Sequence, residues 1–442
     1  MAATLLDEGH PERLLEGVRV LDFTQYLAGP SCTRLMAELG AEIIKVEAWP
    51  DGDPTRVLKP ERGGASACFV QQNRGKRSVR LDLRKPEAVE AVKRIVPHVD
   101  VVIENATPGV MARRGLGYDD LVAINPKLIM ASVSGFGQTG SYSGRSCFDF
   151  IAQGMAGLMH MTGEPDGPPY FVGIGVGDTN AGVHAFAGIA LALYRRDRTG
   201  RGCHLDISMV EALFHMQEYS VGAASMTGGE FVPIRQGLHY QPISPAGTFR
   251  GPQGWIVVLC MPNQWPNLAQ AMGRDDLIVD PRFADYEDRV TNRDELTALI
   301  EAWMATFPSD EAVLAALAEH RVPSGPVLSP ADALTHPLFV ERKAVRTVRD
   351  LTGGTFSVPG FPFMIDGIRP DRDLVPADPD STDTLMTSEV RERYSPSALH
   401  GMIIDHTQAD AYQMFRREPG GGVRQFANYT APKTRKIGRA HV

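Results

Sequence analysis

Glycines at alternate positions run into a carboxylate in Gly173-Ile174-Gly175-Val176-Gly177-Asp178, and an uninterrupted helical pattern follows from Thr179 to Arg196. Glycine has no side chain, so a bulky ligand can approach the backbone closely there. A carboxylate at the mouth of a helix sits among unpaired N–H donors at the positive end of the dipole, which keeps it ionised. Such a group suits nucleophilic attack, and the same position suits a plain helix N-cap. Other site motifs are missing from the chain: there is no GxxxxGK(S/T) loop, no HExxH and no GxSxG. The glycine series at 173, 175 and 177 does not match GxGxxG. His160, His184 and His215 lie on apolar helical stretches and read as packing histidines, whereas His239, in the loop Arg235 to Tyr240, is better placed for function.

The elements that must position Asp178 begin far upstream. Gly17 to Phe23, Ala41 to Glu47 and Ser78 to Leu83 read as strands, and Val99 to Glu104 and Lys127 to Val133 are apolar, β-branched runs of the kind buried in parallel sheets. Between them, Pro30 to Leu39 reads as a helix that Gly40 can end, and a second helix opens at Pro86 and stops at Val96 before Pro97. Strands separated by helical stretches imply right-handed crossovers and an α/β fold, a doubly wound, largely parallel, Rossmann-like sheet. Ligands bind such sheets beyond the carboxyl ends of the strands, here the loops Thr24 to Gly29, Ala48 to Asp53, Asn105 to Gly109 and Ser134 to Gly140. The texture changes near Gly222. The expected organisation is a large domain over 1–205, a smaller α+β domain over 222–330, a return to the large domain over 335–385, and a tail over 386–442 that is disordered or artefactual. The last residues of that tail, Lys436 to Val442, match what a sequencing-adapter read encodes in one frame.

The chain has 442 residues, of which 43% are hydrophobic and 22% charged, which gives ample core for two lobes. A net charge of −8 without any block of Lys or Arg argues against nucleic acid as the partner. The longest apolar run, Ala185 to Tyr194, is about half a membrane span, so no membrane is expected. Met1 to Glu16 has no apolar segment of the secretory type. The five cysteines, Cys32, Cys68, Cys147, Cys203 and Cys260, are scattered and free of CxxC spacing, as expected of a cytoplasmic protein without structural zinc.

A set of short segments in order resembles the class III CoA-transferases, the group with formyl-CoA and carnitine-type CoA-transferases and the related 2-methylacyl-CoA racemases. They are Val20-Leu21-Asp22-Phe23 with Ala28-Gly29-Pro30, Leu39 to Glu47, Gly52 to Arg56, Asn73 to Ser78, Glu104-Asn105, Ser132 to Gly137, Gly177-Asp178, Thr199 to Gly202, Asp280 to Phe283 and Val322 to Val327. The resemblance implies that Asp178 is the nucleophile. It would attack the thioester of an acyl-CoA to give a mixed aspartyl–acyl anhydride and CoA thiolate, so that CoA passes to a small carboxylic acid without ATP. A serine ester would be a sink; an anhydride stays reactive. The resemblance also places CoA along Leu27, Ala28, Leu81, Leu83, Arg84, Asn105, Ala106, Thr107, Arg113, Ser134 and Gly135. CoA and acyl-CoA enter as substrates, and no cofactor is implied. An interlocked homodimer is implied too, with linker-like stretches at Arg201 to Gly222 and after Val327.

The chain departs from two branches of that family. Leu27, Ala48 and Ser134 stand where the formyl-CoA branch has glutamine, arginine and lysine, and no glycine-rich loop lies between Pro233 and Gly254, so an oxalate/formate pair is not expected. Phe148 stands where the racemase branch has its proton-transferring histidine. Racemisation needs an acid/base group on each face of the α-carbon, so transferase is favoured over racemase and over mere CoA-ester binding. Met155, Met159, Phe148, Met216 and the loop Pro233 to Phe249 are candidates for the acyl pocket.

Overall fold

A computed structural model describes residues 13–62, 65–350 and 352–370. The tail over 386–442 lies outside the described residues. The main sheet has six strands: β1 Arg19–Asp22, β2 Glu42–Ala48, β3 Lys76–Leu81, β4 Val101–Glu104, β5 Ile129–Ser134 and β6 Cys203–Ser208. All pair in parallel, in the order β3-β2-β1-β4-β5-β6. That is the doubly wound order of Rossmann sheets, in which the chain reverses its direction of travel between β1 and β4.

Burial on both faces explains the near-continuous apolar strands. Val20, Ile43, Val101, Ile129 and Ala131 pack on one face beneath α1 Ala28–Glu38 and the long helix Val176–Thr199. Leu21, Ile44, Val46, Val102 and Met130 point to the other face, with Val92 of Pro86–Ile95 and Met111. α1 crosses the long helix at very short range. A Cβ on Gly182 would lie 1.9 Å from Ser31 Oγ and 2.6 Å from the Ala28 carbonyl oxygen, so any side chain there would lift α1 away. This crossing fixes Leu27 and Ala28 relative to the first turns of the long helix.

Two expectations fail here. The long helix begins at Val176, three residues before Thr179, so Asp178 lies inside its first turn while Gly175 occupies the N-cap. Glycine at 175 and 177 hides the start of the periodicity. The stretch 201–222, expected as linker, contains β6, the helix Met209–His215 and part of the helix Ser220–Met226. β6 is an edge strand on which His204 and Asp206 are exposed while their neighbours are half-buried, and it runs across position 205. Its alternation of apolar and polar residues lacks the continuous apolar run of the central strands.

A second hydrophobic core is built from an antiparallel sheet of β7 Ala246–Arg250, β8 Trp255–Leu259 and β9 Ser324–Pro326, with β8 in the middle. Phe249, Ile256 and Val258 of the sheet pack with Trp265, Leu296, Ile300 and Leu317 from the helices Trp265–Ala271, Arg293–Met304 and Asp310–Glu319. The chain then forms the hairpin β10 Val345–Arg349 and β11 Thr355–Pro359. Val348 and Val358 of this hairpin pack on Phe69 and Val70, and Phe361 packs on Leu35 and Leu39 of the α1 region. Buried Glu38 joins these parts through Arg34 at 3.0 Å, Arg74 at 2.5 Å and Arg346 at 3.8 Å. Among the described residues, no helix is long and apolar enough to cross a membrane.

Candidate active site

The loop after β1 is held from below by buried charge. Asp22 accepts from Thr24 N–H at 2.8 Å and pairs with Lys76 at 3.1 Å. Lys45 donates to the Thr24 carbonyl at 2.6 Å and pairs with Asp53 at 2.8 Å. At the point where the sheet reverses direction, the loops after β1 and β4 clasp each other. Gln25 N–H donates to Asn105 Oδ1 at 2.8 Å, and Asn105 Nδ2 donates to the Gln25 carbonyl at 2.7 Å. Tyr26 follows with φ of 63°, a left-handed conformation rare for a bulky residue. It turns the chain into Leu27, the residue at the N-cap of α1.

Leu27 lies against the glycine run. A Cβ on Gly175 would meet Leu27 Cδ2 at 2.7 Å, and one on Gly177 would meet Asp149 Oδ1 at 3.0 Å. Asp149 opens the helix Asp149–Met155, and its Oδ1 accepts from Gly177 N–H at 2.6 Å and Asp178 N–H at 3.1 Å. Gln153 steadies it, donating to Asp149 Oδ2 at 2.6 Å and accepting from Val172 N–H at 2.9 Å. So the cap of the long helix is supplied by Asp149 from another helix, and Asp178 caps nothing. The N–H donors expected to surround Asp178 are also taken, because Asp149 uses those of residues 177 and 178.

The Asp178 carboxylate is half-buried, and among the described residues no hydrogen bond or ion pair reaches it. Burial, and then the charge of Asp149, push its pKa up from 3.8 to about 7. This reverses the expectation of a firmly ionised carboxylate, because desolvation and a like charge outweigh the helix dipole. Burial, followed by the same two carboxylates, lifts the Cys147 thiol to about 11. Cys147 packs where a Cβ on Gly135 would lie, 2.1 Å from its own Cβ. Leu27, Gly135, Cys147, Asp149 and Asp178 therefore surround one spot at the end of β5 and the start of the long helix. Sequence reasoning had passed over Asp149, Cys147 and Gln153 as site residues. A carboxylate directly before a helical run was the signal available for Asp149.

The remaining expected residues spread along the carboxyl edge of the sheet. Ser134 ends β5, buried, with its hydroxyl unpartnered among the described residues. Ala28 is buried in the first turn of α1. Leu81 ends β3, and both Leu81 and Leu83 pack on the core of the second face. Arg84 is exposed and paired with Asp82 at 2.7 Å. Ala106 N–H donates to buried Glu104 at 2.7 Å, and the Thr107 carbonyl accepts from Val110 N–H at 3.1 Å. Arg113 folds back over the same loop, with its Nη1 2.9 Å from where a Cβ on Gly109 would lie. Leu27, through Gly175, and Gly135, through Cys147, come together with Asp178, while Leu81 to Arg84 lie at the far strand of the sheet. His239 bridges to Gly247 and meets buried Phe249 at a tilt, with ring centroids 5.0 Å apart, so it lies against the second core. His184 and His215 meet edge to face at 5.7 Å. Among the described residues, no cluster of His, Cys, Asp or Glu is placed to hold a metal ion.

The family model described as CoA-transferase family III matches residues 15–381. The chain belongs to this family. It is 38% identical to the succinyl-CoA–D-citramalate CoA-transferase of Chloroflexus aurantiacus over 77% of its own length and 85% of that protein's. It is 37% identical to the acetyl-CoA:oxalate CoA-transferase of Acetobacter aceti over 81% of its own length and 90% of that protein's. Among solved structures it resembles a CAIB/BAIF family protein from Brucella suis, with a TM-score of 0.74 and 35% identity, covering 83% of this chain and 96% of that one. Most of the segments that first pointed to the family lie on or beside the parallel sheet of this family III enzyme, whereas Asp280 to Phe283 and Val322 to Val327 belong to the second core.

Proposed function

We propose that the enzyme moves CoA from an acyl-CoA to a carboxylic acid through covalent intermediates on Asp178. The supporting observation is a half-buried carboxylate at the start of a long helix with neither a hydrogen bond nor a cation among the described residues, lifted to about 7. A carboxylate of raised basicity and without partners is free to react. The Asp178 carboxylate adds to the thioester carbonyl; the C–S bond breaks, CoA leaves as thiolate, and an aspartyl–acyl anhydride remains. The thiolate then adds to the aspartyl carbonyl, and the donor acid departs with an oxygen that came from Asp178. The resulting aspartyl–CoA thioester accepts the second acid, forming a second anhydride and freeing the thiolate. Attack of the thiolate on the acceptor's carbonyl releases the new acyl-CoA and restores Asp178.

CoA would lie over the clasp between Gln25 and Asn105, with Arg113 toward its phosphates, Leu81 to Arg84 and Ala106-Thr107 along the nucleotide, and Leu27, Ala28, Ser134 and Gly135 toward the thioester. The unpartnered Ser134 hydroxyl and the guanidinium of Arg113 over Gly109 support that path. A racemase finds no support, since Phe148 supplies no proton-transferring group.

Incubation with labelled acyl-CoA should leave a hydroxylamine-sensitive adduct on the peptide containing Asp178. Heavy oxygen placed in the acceptor acid should appear in Asp178 after one turnover. Asp178→Ala should reduce exchange by at least about 1,000-fold while CoA affinity stays nearly unchanged. Comparable loss of both would make Asp178 a structural residue.

A further inference from the structure

Two carboxylates, Asp149 and Asp178, stand at the start of the long helix, and among the described residues neither is met by a lysine or arginine. Gln153 and Cys147 lie beside them, together with apolar side chains. Leu27 covers Gly175. Phe148, the residue before Asp149, meets Tyr26 edge to face with ring centroids 6.2 Å apart. Beyond them, Phe150 and Phe171 lie with ring centroids 4.4 Å apart. These rings are well exposed, Phe148 at 65% and Phe150 at 54%. The opposite side of the first turn is more polar, and there Arg293 donates to Gln241 and to the Tyr240 carbonyl. Leu213, 3.1 Å from where a Cβ on Gly177 would lie, also lines a cavity of about 570 Å³ in which Glu218 is the single charged lining residue.

We infer that the acyl groups exchanged at Asp178 are apolar and uncharged, aryl or branched alkyl groups of monocarboxylic acids, held against the rings of Tyr26 and Phe148. This rests on Asp178 being the acylated group. A dicarboxylic acyl group held against Tyr26 and Phe148 would bring a further negative charge beside two carboxylates that, among the described residues, no lysine or arginine meets. Desolvating that charge without a partner is unfavourable. An aryl or branched chain instead covers apolar surface that is otherwise wet, and an aryl ring can take the edge-to-face arrangement that Tyr26 and Phe148 already adopt. Such a preference would set this chain apart from the relatives named for succinyl-CoA and oxalate.

The test uses the full chain with phenylacetyl-CoA and isobutyryl-CoA against succinyl-CoA and oxalyl-CoA. It reads two quantities for each thioester: adduct on the Asp178 peptide, and kcat/KM for exchange with the matching acid. The apolar thioesters should exceed succinyl-CoA on the order of 100-fold. Phe148→Ala, at an exposed position, should lower kcat/KM for phenylacetyl-CoA roughly tenfold more than for succinyl-CoA. Phe148→Arg, which adds the missing cation, should narrow or reverse the preference. If succinyl-CoA labels Asp178 as fast as the apolar thioesters, the inference falls while Asp178 keeps its role. If the Phe148 variants leave the ratio between thioesters unchanged, the ring wall is not the acyl site. If no thioester labels Asp178, the proposed function fails and takes this inference with it.

Discussion

Two groups of carboxylates in this fold have opposite surroundings. At the ends of β1 and β2, Asp22, Asp53 and Glu47 are interleaved with Lys45, Lys76 and Arg56, and Glu47 is gripped by both arms of the Arg56 guanidinium at 2.6 and 2.7 Å. Burial alone would raise Asp22, yet Lys76, Lys45 and the hydroxyls of Thr24 and Thr33 bring it down to about 2. Glu47 likewise, against burial, is held at about 2 chiefly by Arg56. At Asp178, burial acts in the same direction with no cation to oppose it, and Asp149 adds to it. Both groups are carboxylates, but their partners and their depth of burial differ. The cation-rich cluster holds the β1 loop in shape, and the cation-free pair leaves one carboxylate available for reaction.

Removing a cation from the first cluster should have the largest effect on stability. Lys45→Met leaves Asp22 and Asp53 short of a partner in a fully buried setting and also frees the Thr24 carbonyl. It should cost about 3–5 kcal/mol in denaturant unfolding. Asp178→Ala, by contrast, removes an unpaired charge and should leave stability unchanged or higher. A similar loss in both variants would erase the distinction between the two clusters.

Changing the neighbour of Asp178 should have a smaller effect, read in the pH profile. Exchange requires ionised Asp178, so kcat/KM should rise with pH through about 7. Asp149→Asn keeps an oxygen to accept from Gly177 and Asp178 N–H but deletes the charge. Its midpoint should move to lower pH without returning to 3.8, because burial, the larger cause, remains. A midpoint unmoved in Asp149→Asn would show that the two carboxylates do not sense each other.

Stability should depend on pH with opposite signs in the two clusters. Asp178 has a folded-state value above its usual one, so the folded state loses stability as pH rises from about 3.8 toward about 7. The advantage of Asp178→Ala over the parent should therefore grow across that window and stay constant above it. Asp22 has a lowered value, so the stability it contributes is present above about 3.8 and is lost as pH falls toward about 2. Thermal unfolding of the parent and of the Asp178→Ala and Asp22→Asn variants at several pH values separates the two slopes.

Much of this arrangement was legible in the chain. The central strands stand out because both of their faces are buried, so apolar residues run nearly without interruption, as in Val101–Glu104 and Ile129–Ser134. Edge strand β6 did not, because one side of it is wet. Asp178 stood out through its glycines. Its partner Asp149 did not, because 29 residues separate them and only the folded sheet brings the helix Asp149–Met155 beneath residue 177. The raised basicity of Asp178 was hidden for the same reason: periodicity reveals a helix start, but burial and a like charge come from tertiary contacts.

The glycines that led to Asp178 divide by what surrounds them, and they give the smallest expected effects. Gly177→Ala would set a Cβ 3.0 Å from Asp149 Oδ1 and 3.1 Å from Leu213, so the capping carboxylate must shift by a few tenths of an ångström. Exchange should fall roughly tenfold, since a displacement of about 1 Å costs on the order of 100-fold. Gly173 has no heavy atom within 4 Å of a Cβ, so Gly173→Ala should change unfolding by less than about 0.5 kcal/mol and leave exchange nearly intact. The pair thus marks where the need for glycine ends. If Gly173→Ala instead raises KM for acyl-CoA at unchanged stability, a ligand must lie against that backbone, and the reactive region reaches further from Asp178 than the contact between Leu27 and Gly175.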